Sequence, residues 1–255
     1  MIHILKFIFA IHFLTSCNIL RDVSDSETNL DDEFFQGRGL ESLNNDLLSF
    51  WNLNETGASE NRRDKIGAND FVWNMGSIFS SAGKIRSALD CSSMDVNNRF
   101  NNTSVSNLNF GSSQDFTVSL WVKVHNTAGN GMLFQLGTSG DRIDIQVLNN
   151  NEIDIWFNNA STSPNIPSVS FGDWNHFALV FDRDQGLYVY MNGEFTFPQL
   201  TTSTVRNYSF ASLRACSDSA FITNPDASVD SIGIWGRKLN LEEIRALYQQ
   251  NNNLD

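Results

Sequence analysis

The chain reads as all-β: a two-sheet antiparallel sandwich with one short helix near its C-terminus. Two observations predict this. From Leu47 onward, short runs of alternating apolar and polar residues follow one another, separated by Gly, Asn and Ser clusters, with no helical segments between them. Two of the separators, Asn149–Asn150–Asn151 and Asn192–Gly193, are turn sequences that join a strand to its antiparallel neighbour. Many short strands without intervening helices stack as two sheets.

In order along the chain, Lys6 precedes the apolar run FIFAIHFL, which is too short to cross a bilayer and reads as the core of a signal peptide over residues 1–16. The four residues Leu14, Thr15, Ser16 and Cys17 that close it resemble the lipobox of bacterial lipoproteins. That resemblance implies cleavage before Cys17, diacylglycerol on its thiol, and a lipid-anchored place in the bacterial cell envelope, at the outer membrane or cell surface. Residues 17–46 follow as a disordered acidic tether. From Arg21 to Asp46 eight acids stand against two arginines, half of the chain's formal charge of −12. Such self-repelling, weakly apolar sequence does not pack, and its reach is roughly 30 Å.

The folded domain is read as residues 47–255. Its strand signals are LLSFWNLN, FTVSLWVKV, MLFQL, RIDIQV, EIDIWF, HFALVF, LYVYM, EFTF and VDSIGIW. Phe116, Val118, Leu120, Val122 and Val124 alternate with Thr117, Ser119, Trp121 and Lys123, which gives one apolar and one polar face. Asn192–Gly193 suits a type I′ turn, which needs positive φ at both positions. Near the end, Asn240 caps a helix with Glu243 as its capping-box partner, and Leu239 with Ile244 form a hydrophobic staple. Ile244, Leu247 and Tyr248 make its apolar face, which predicts a helix lying on the sandwich.

The stretch RIDIQVLNNNEIDIWF concentrates the candidate chemistry. Core must oppose core across an antiparallel pair, so Val147 pairs with Ile153 and the three asparagines form the loop. Asp144 then faces Trp156, and Gln146 faces Asp154. An indole stacks on the C–H face of a sugar while carboxylates and amides hydrogen-bond its hydroxyls, so Asp144, Gln146, Asp154 and Trp156 form a candidate ligand-binding strip. The plainer alternative is the solvated outer face of a sheet.

Composition bounds the rest. A chain of 255 residues with 41% hydrophobic and 12% aromatic content supports a sizeable core. A net −12 without clustered Lys or Arg excludes nucleic acid as a partner. Cys91 and Cys216 remain after Cys17, and in an exported chain they form either a disulfide or two buried thiols. His176, in WNHFALV, reads as a core or half-buried histidine, because no Ser or Cys in triad-like context accompanies it.

Five runs together, LLSFWNLNE, AGKIRSALDCSS, DFTVSLWVKV, DWNHFALVFD with GLYVYMNGE, and SVDSIGIWGRKLNLEEIRALY, resemble in content and order the laminin-G-like jelly-roll modules of the concanavalin A-like lectin and glucanase superfamily. The resemblance covers about Leu47 to Gln250 and implies two antiparallel sheets in a jelly roll, with ligands on the concave face or at the loop rim. Two departures stand out: Cys91 occupies a position where such modules often carry an aromatic residue, and the Ser/Thr-rich segment from Phe195 to Ser209 is long. Asp230 resembles the carboxylate of the superfamily's structural calcium site, completed by backbone carbonyls; the alternative is a strand-end aspartate with hydrogen bonds only.

The superfamily's glucanase branch carries E-x-D-x-E or E-x-D-x-x-E on one strand. Glu152 and Asp154 match its first half, but Trp156 or Phe157 stands where the last acid belongs. Retaining hydrolysis requires two cooperating carboxyl groups. The expectation is therefore a surface module that binds a glycan or an extracellular protein and is not an enzyme, touching the membrane through its lipid alone. A structural envelope lipoprotein engaging a protein partner is the second reading, and a glycoside hydrolase with an atypical acid/base the third.

Overall fold

The computed structural model describes residues 41–57, 60–73, 79–92, 100–126, 130–138, 140–157, 160–161, 166, 168–196, 207–217 and 225–250. Cys17, the signal segment, the tether up to residue 40, and residues 197–206 of the Ser/Thr-rich segment lie outside the described residues. Among the described residues no helix is long and apolar enough to cross a membrane.

A 3-10 turn at Glu41–Asn44 leads into the strands β1 (Leu47–Trp51), β2 (Val72–Trp73), β3 (Phe79–Ala82), β4 (Ser87–Asp90), β5 (Phe100–Asn102), β6 (Asn109–Phe110), β7 (Phe116–Val124), β8 (Gly131–Thr138), β9 (Asp141–Val147), β10 (Ile153–Phe157) and β11 (Ala160–Ser161). They continue as β12 (Trp174–Asp182), β13 (Gly186–Met191), β14 (Glu194–Phe195), β15 (Tyr208–Ser209), β16 (Leu213–Ala215) and β17 (Ala227–Trp235), followed by the helix α1 (Leu241–Gln250). One antiparallel sheet runs β14-β13-β12-β7-β17-β4-β3 with β1 added on β17; a second runs β11-β10-β9-β8-β16-β5-β2; β6 and β15 pair separately. This is the two-sheet antiparallel jelly-roll sandwich with one short C-terminal helix. Its core joins Val118, Leu120, Val122, Phe177 and Leu179 of the first sheet to Ile143, Ile145, Ile153 and Ile155 of the second. Each such side chain contributes roughly 1.5–3 kcal/mol by leaving water.

The alternation of β7 places its apolar set in that core, but its other face is also buried: Thr117, Ser119 and Trp121 are each at most 3% exposed. The cover is α1 and the segment leading to it. The Tyr248 ring stacks on Trp121 with centroids 5.7 Å apart, and the Thr117 hydroxyl accepts from Leu239 N at 3.0 Å and donates to Arg237 O at 2.9 Å. The helix starts where its capping box dictates, with Glu243 N donating to Asn240 Oδ1 at 3.0 Å and Asn240 N to Glu243 Oε2 at 2.9 Å. Asn192 and Gly193 take φ of 54° and 78°, the pair of positive values that a type I′ turn requires.

The domain begins before residue 47. Residues 41–46, which composition assigns to the tether, pack on the sandwich: Leu43 is fully buried, and its carbonyl accepts from Trp235 Nε1 at 2.7 Å. Arg237 donates to Ser42 O at 2.6 Å and to Asn45 O at 2.9 Å. A charged, polar hexapeptide with one leucine reads as tether by composition, while a single buried side chain and carbonyls paired with Trp and Arg suffice to dock it.

Cys91 and Cys216 are joined in a disulfide, with Cα atoms 4.9 Å apart and a sequence separation of 125. Cys91 follows β4 and Cys216 follows β16, so the bond ties one sheet to the other through the core.

Candidate functional site

The β9–β10 hairpin has the register that parity requires: Val147 opposes Ile153, Gln146 opposes Asp154, and Asp144 opposes Trp156. Leu148 N donates to Glu152 O at 2.9 Å and Asn151 N to Leu148 O at 3.0 Å, closing a loop in which Asn151 takes φ 64°. Asparagine tolerates that left-handed conformation because its short amide can bond locally.

Register extends the strip across the sheet. Trp156 opposes Asp144, Asp144 opposes Gln135 of β8, Gln135 opposes Arg214 of β16, and Arg214 opposes Asn101 of β5. Residues directly opposite each other share a face, so these side chains form one transverse row on the outer side of the second sheet. Gln135 Nε2 donates to Asp144 Oδ1 at 2.8 Å, Arg142 Nε lies 2.8 Å from Asp144 Oδ2, and Arg214 Nη1 donates to Gln135 Oε1 at 3.0 Å. Beside this row, Gln146 Nε2 donates to Asp154 Oδ2 at 2.8 Å, and the Trp156 indole N–H donates to the same oxygen.

The strip is therefore not a solvated array of ligand hydrogen-bonders. Asp144, Gln146 and Asp154 are 1%, 4% and 6% exposed, whereas Trp156 is half-buried. The physical reason is that each carboxylate meets donors from its own or a neighbouring strand, and a charge removed from water is held by such charge-assisted bonds. The indole N–H is consequently fixed by a buried acceptor. Gln135 and Arg214, which complete the network, lie in the runs MLFQL and LRA. The lone glutamine of an apolar run was the available signal, since its parity opposes that of the buried Phe134 and Leu136.

The other singled-out residues sit elsewhere. His176 is fully buried in the first sheet, its Nε2 2.8 Å from Ser119 Oγ and its Nδ1 without a hydrogen-bond partner; burial pulls the imidazole down to about 3. His125 bonds Ser228 Oγ through Nε2 at 2.8 Å, and Ser228 bonds Ser81 at 2.8 Å.

Asp230 is fully buried. Its Oδ2 accepts the backbone N–H groups of Lys84 and Ile85 at 2.8 and 3.0 Å, and its Oδ1 accepts the Ser231 hydroxyl at 3.1 Å. Burial pushes the carboxyl up to about 7 against the pull of these bonds. N–H groups cannot ligate a cation, and calcium requires six to eight oxygens. Among the described residues no group of three or more His, Cys, Asp or Glu side chains is gathered as a metal would need. The surroundings of Asp230 do not fit a calcium ion: the carboxylate pins the β3–β4 turn.

Solved structures share the fold. Trypanosoma rangeli sialidase aligns with a TM-score of 0.58 at 16% identity over 82% of this chain, which spans 33% of the sialidase. Domain 4 of AbnA, a GH43 extracellular arabinanase from Geobacillus stearothermophilus in complex with arabinotriose, aligns with a TM-score of 0.54 at 18% identity, covering 80% of this chain and 98% of that one. The binding domain of Botulinum neurotoxin DC in complex with rat synaptotagmin II aligns at 0.58 and 13% identity, covering 81% and 52%. At these identities the likeness is one of fold. The chain spans about a third of the length of the sialidase. A comparison with characterised proteins found no match.

The expectation that the chain is not an enzyme does not stand, because a sialidase and a domain of a glycoside hydrolase are among its neighbours. The missing third carboxylate of one glucanase motif speaks only to that motif, so the expectation is withdrawn. The laminin G-type profile of the concanavalin A-like lectin/glucanases superfamily matches residues 97–245, more than half of the chain, and spans the hairpin, the three nine-residue strands β7, β12 and β17 of the first sheet and the start of α1; the chain belongs to that superfamily.

Proposed function

We propose that the chain is an exported, lipid-anchored module that binds a glycan through Trp156 on the outer face of the second sheet. The observation that carries this is a half-buried indole whose N–H is fixed by the buried Asp154 carboxylate. An aromatic platform held by its surroundings loses little freedom when a sugar ring stacks on it, which is how a preorganised site gains affinity. Asp144, Gln146 and Asp154 act behind it as positioning residues. Neighbours of the same fold are seen with arabinotriose or with a protein, which supports a partner of one of these two kinds.

In a glycan array with the mature chain, a bound oligosaccharide should weaken at least tenfold in Trp156→Ala, about 1.4 kcal/mol, with an unchanged melting temperature. Asp154→Asn, which loosens the indole, should give a smaller loss. Silence across the array, or binding indifferent to Trp156, would sink the reading, and protein capture lost in Trp156→Ala would move it to a protein partner.

Export and the anchor rest on Cys17 after its apolar run and on the buried disulfide, a bond that persists in oxidising compartments. Mass spectrometry of the protein expressed in a bacterial host should find Cys17 as a diacylglyceryl N-terminus. An unmodified N-terminus at another residue would remove the anchor.

A further inference from the structure

A second aromatic surface lies on the first sheet, at its β13–β14 edge. Tyr190 opposes Ala178 and Phe195, and Tyr188 opposes Val180, while Leu187 and Val189 between them point into the core. Parity thus puts Tyr188, Tyr190 and Phe195 on the outer face. Phe195 is 49% exposed and the two tyrosines are half-buried. The three rings touch in a file, with Phe195 5.9 Å from Tyr188 and 5.6 Å from Tyr190 by centroids. Gln185 accepts the Tyr188 hydroxyl at 2.6 Å. At the border, Arg245 of α1 grips both oxygens of Glu194 at 2.9 and 3.0 Å.

We propose that this file is a second carbohydrate-binding site, taking the C–H face of one or two neutral hexose rings. Aromatic rings offer carbon faces for stacking, and phenol, amide and ion-pair groups at the rim supply the partners that sugar hydroxyls need. Glu194 and Arg245 cancel each other's charge, so the rim selects neither an acidic nor a basic ligand. Size argues against a protein. A fully covered aromatic ring buries 150–250 Å², so one half-exposed ring and two less exposed ones offer at most on the order of 250 Å², against ~800 Å² per partner in a stable protein interface. The site shares no residue with Trp156 and stands or falls independently of it.

The test titrates the mature chain with cello-, manno- and chito-oligosaccharides by calorimetry. One of these series should bind at millimolar concentration or below in a Trp156→Ala background as well as in the wild type, and in that background Phe195→Ala should weaken it at least tenfold, with Tyr190→Ala reducing it as well. Phe195→Tyr, which keeps the ring, should retain binding and shows that the loss is not one of folding. The proposal is overturned if no neutral oligosaccharide binds, if binding ignores Phe195, if only Trp156→Ala abolishes it, or if Phe195→Ala abolishes capture of a protein and no sugar.

Discussion

Reduction of the Cys91–Cys216 bond should lower the stability of the domain by ~5 kcal/mol, because freeing a closed loop of this length restores that much chain entropy to the unfolded state. Reduction isolates the effect better than mutation does, since both sulfur atoms remain in the core and no cavity opens. For a domain of this size the loss corresponds to a fall in melting temperature on the order of 10–20 °C. The two cysteines are also fixed by their backbones: Cys91 N donates to Ala227 O at 2.9 Å and Cys216 N to Leu133 O at 3.0 Å, so the reduced thiols stay on opposite sheets without the bond that joins them. Denaturant melts with and without reductant check this, and a difference below about 1 kcal/mol would mean that packing alone holds the sheets together.

The second large effect is a pair of opposed pH responses in one cross-strand row. His176 opposes Trp121, and Trp121 opposes Asp230. Burial holds the His176 imidazole at about 3 in the folded chain, against an ordinary 6.5. The unfolded chain therefore takes up a proton first as pH falls, and the stability present above pH 6.5 drains away down to about pH 3. At 1.36 kcal/mol per pH unit the full loss is on the order of 4–5 kcal/mol.

Asp230 acts in reverse. Its carboxyl is raised from 3.8 to about 7, so the folded chain keeps a proton that the unfolded chain gives up, and its contribution is present below pH 3.8 and lost as pH rises to 7. That effect is on the order of 4 kcal/mol. Across pH 4–6.5 the two slopes nearly cancel. Asp230→Asn should therefore lose stability more steeply than the wild type as pH falls through that window, and His176→Gln should gain it. Urea midpoints at each pH read the slopes directly. Parallel curves for all three proteins would show that neither group titrates differently on folding.

What the sequence revealed was local. The register of β9–β10 follows from parity and three asparagines, the 191–194 turn from Asn192–Gly193, and the start of α1 from Asn240 and Glu243, each within a few residues of chain. What it concealed depends on pairing at long range. Asp144 alternates as a surface residue should, and only Gln135, nine residues away on the neighbouring strand β8, together with Arg142 shows that its carboxylate is enclosed. Arg214 joins the row from a strand more than sixty residues further on. Strands as short as FNN and LRA carry too few residues to show a period, so β5 and β16 leave no pattern to read. Trp121 looked like a solvent-facing residue because nothing in FTVSLWVKV announces that a helix more than a hundred residues later will cover it.

The docking of residues 41–46 also has a mechanical side. A domain held at its N-terminus and bound elsewhere to a ligand carries tension where the chain enters the fold. That tension reaches the Trp235–Leu43 bond and the Arg237 fork on Ser42 and Asn45 before it reaches β1. Arg237 is in turn gripped by both oxygens of Glu243 at 2.8 and 2.9 Å, the carboxylate that also closes the helix cap. A pull applied ahead of residue 41 would thus be shared at once with β17 and α1, and the first strand would be shielded from being peeled away.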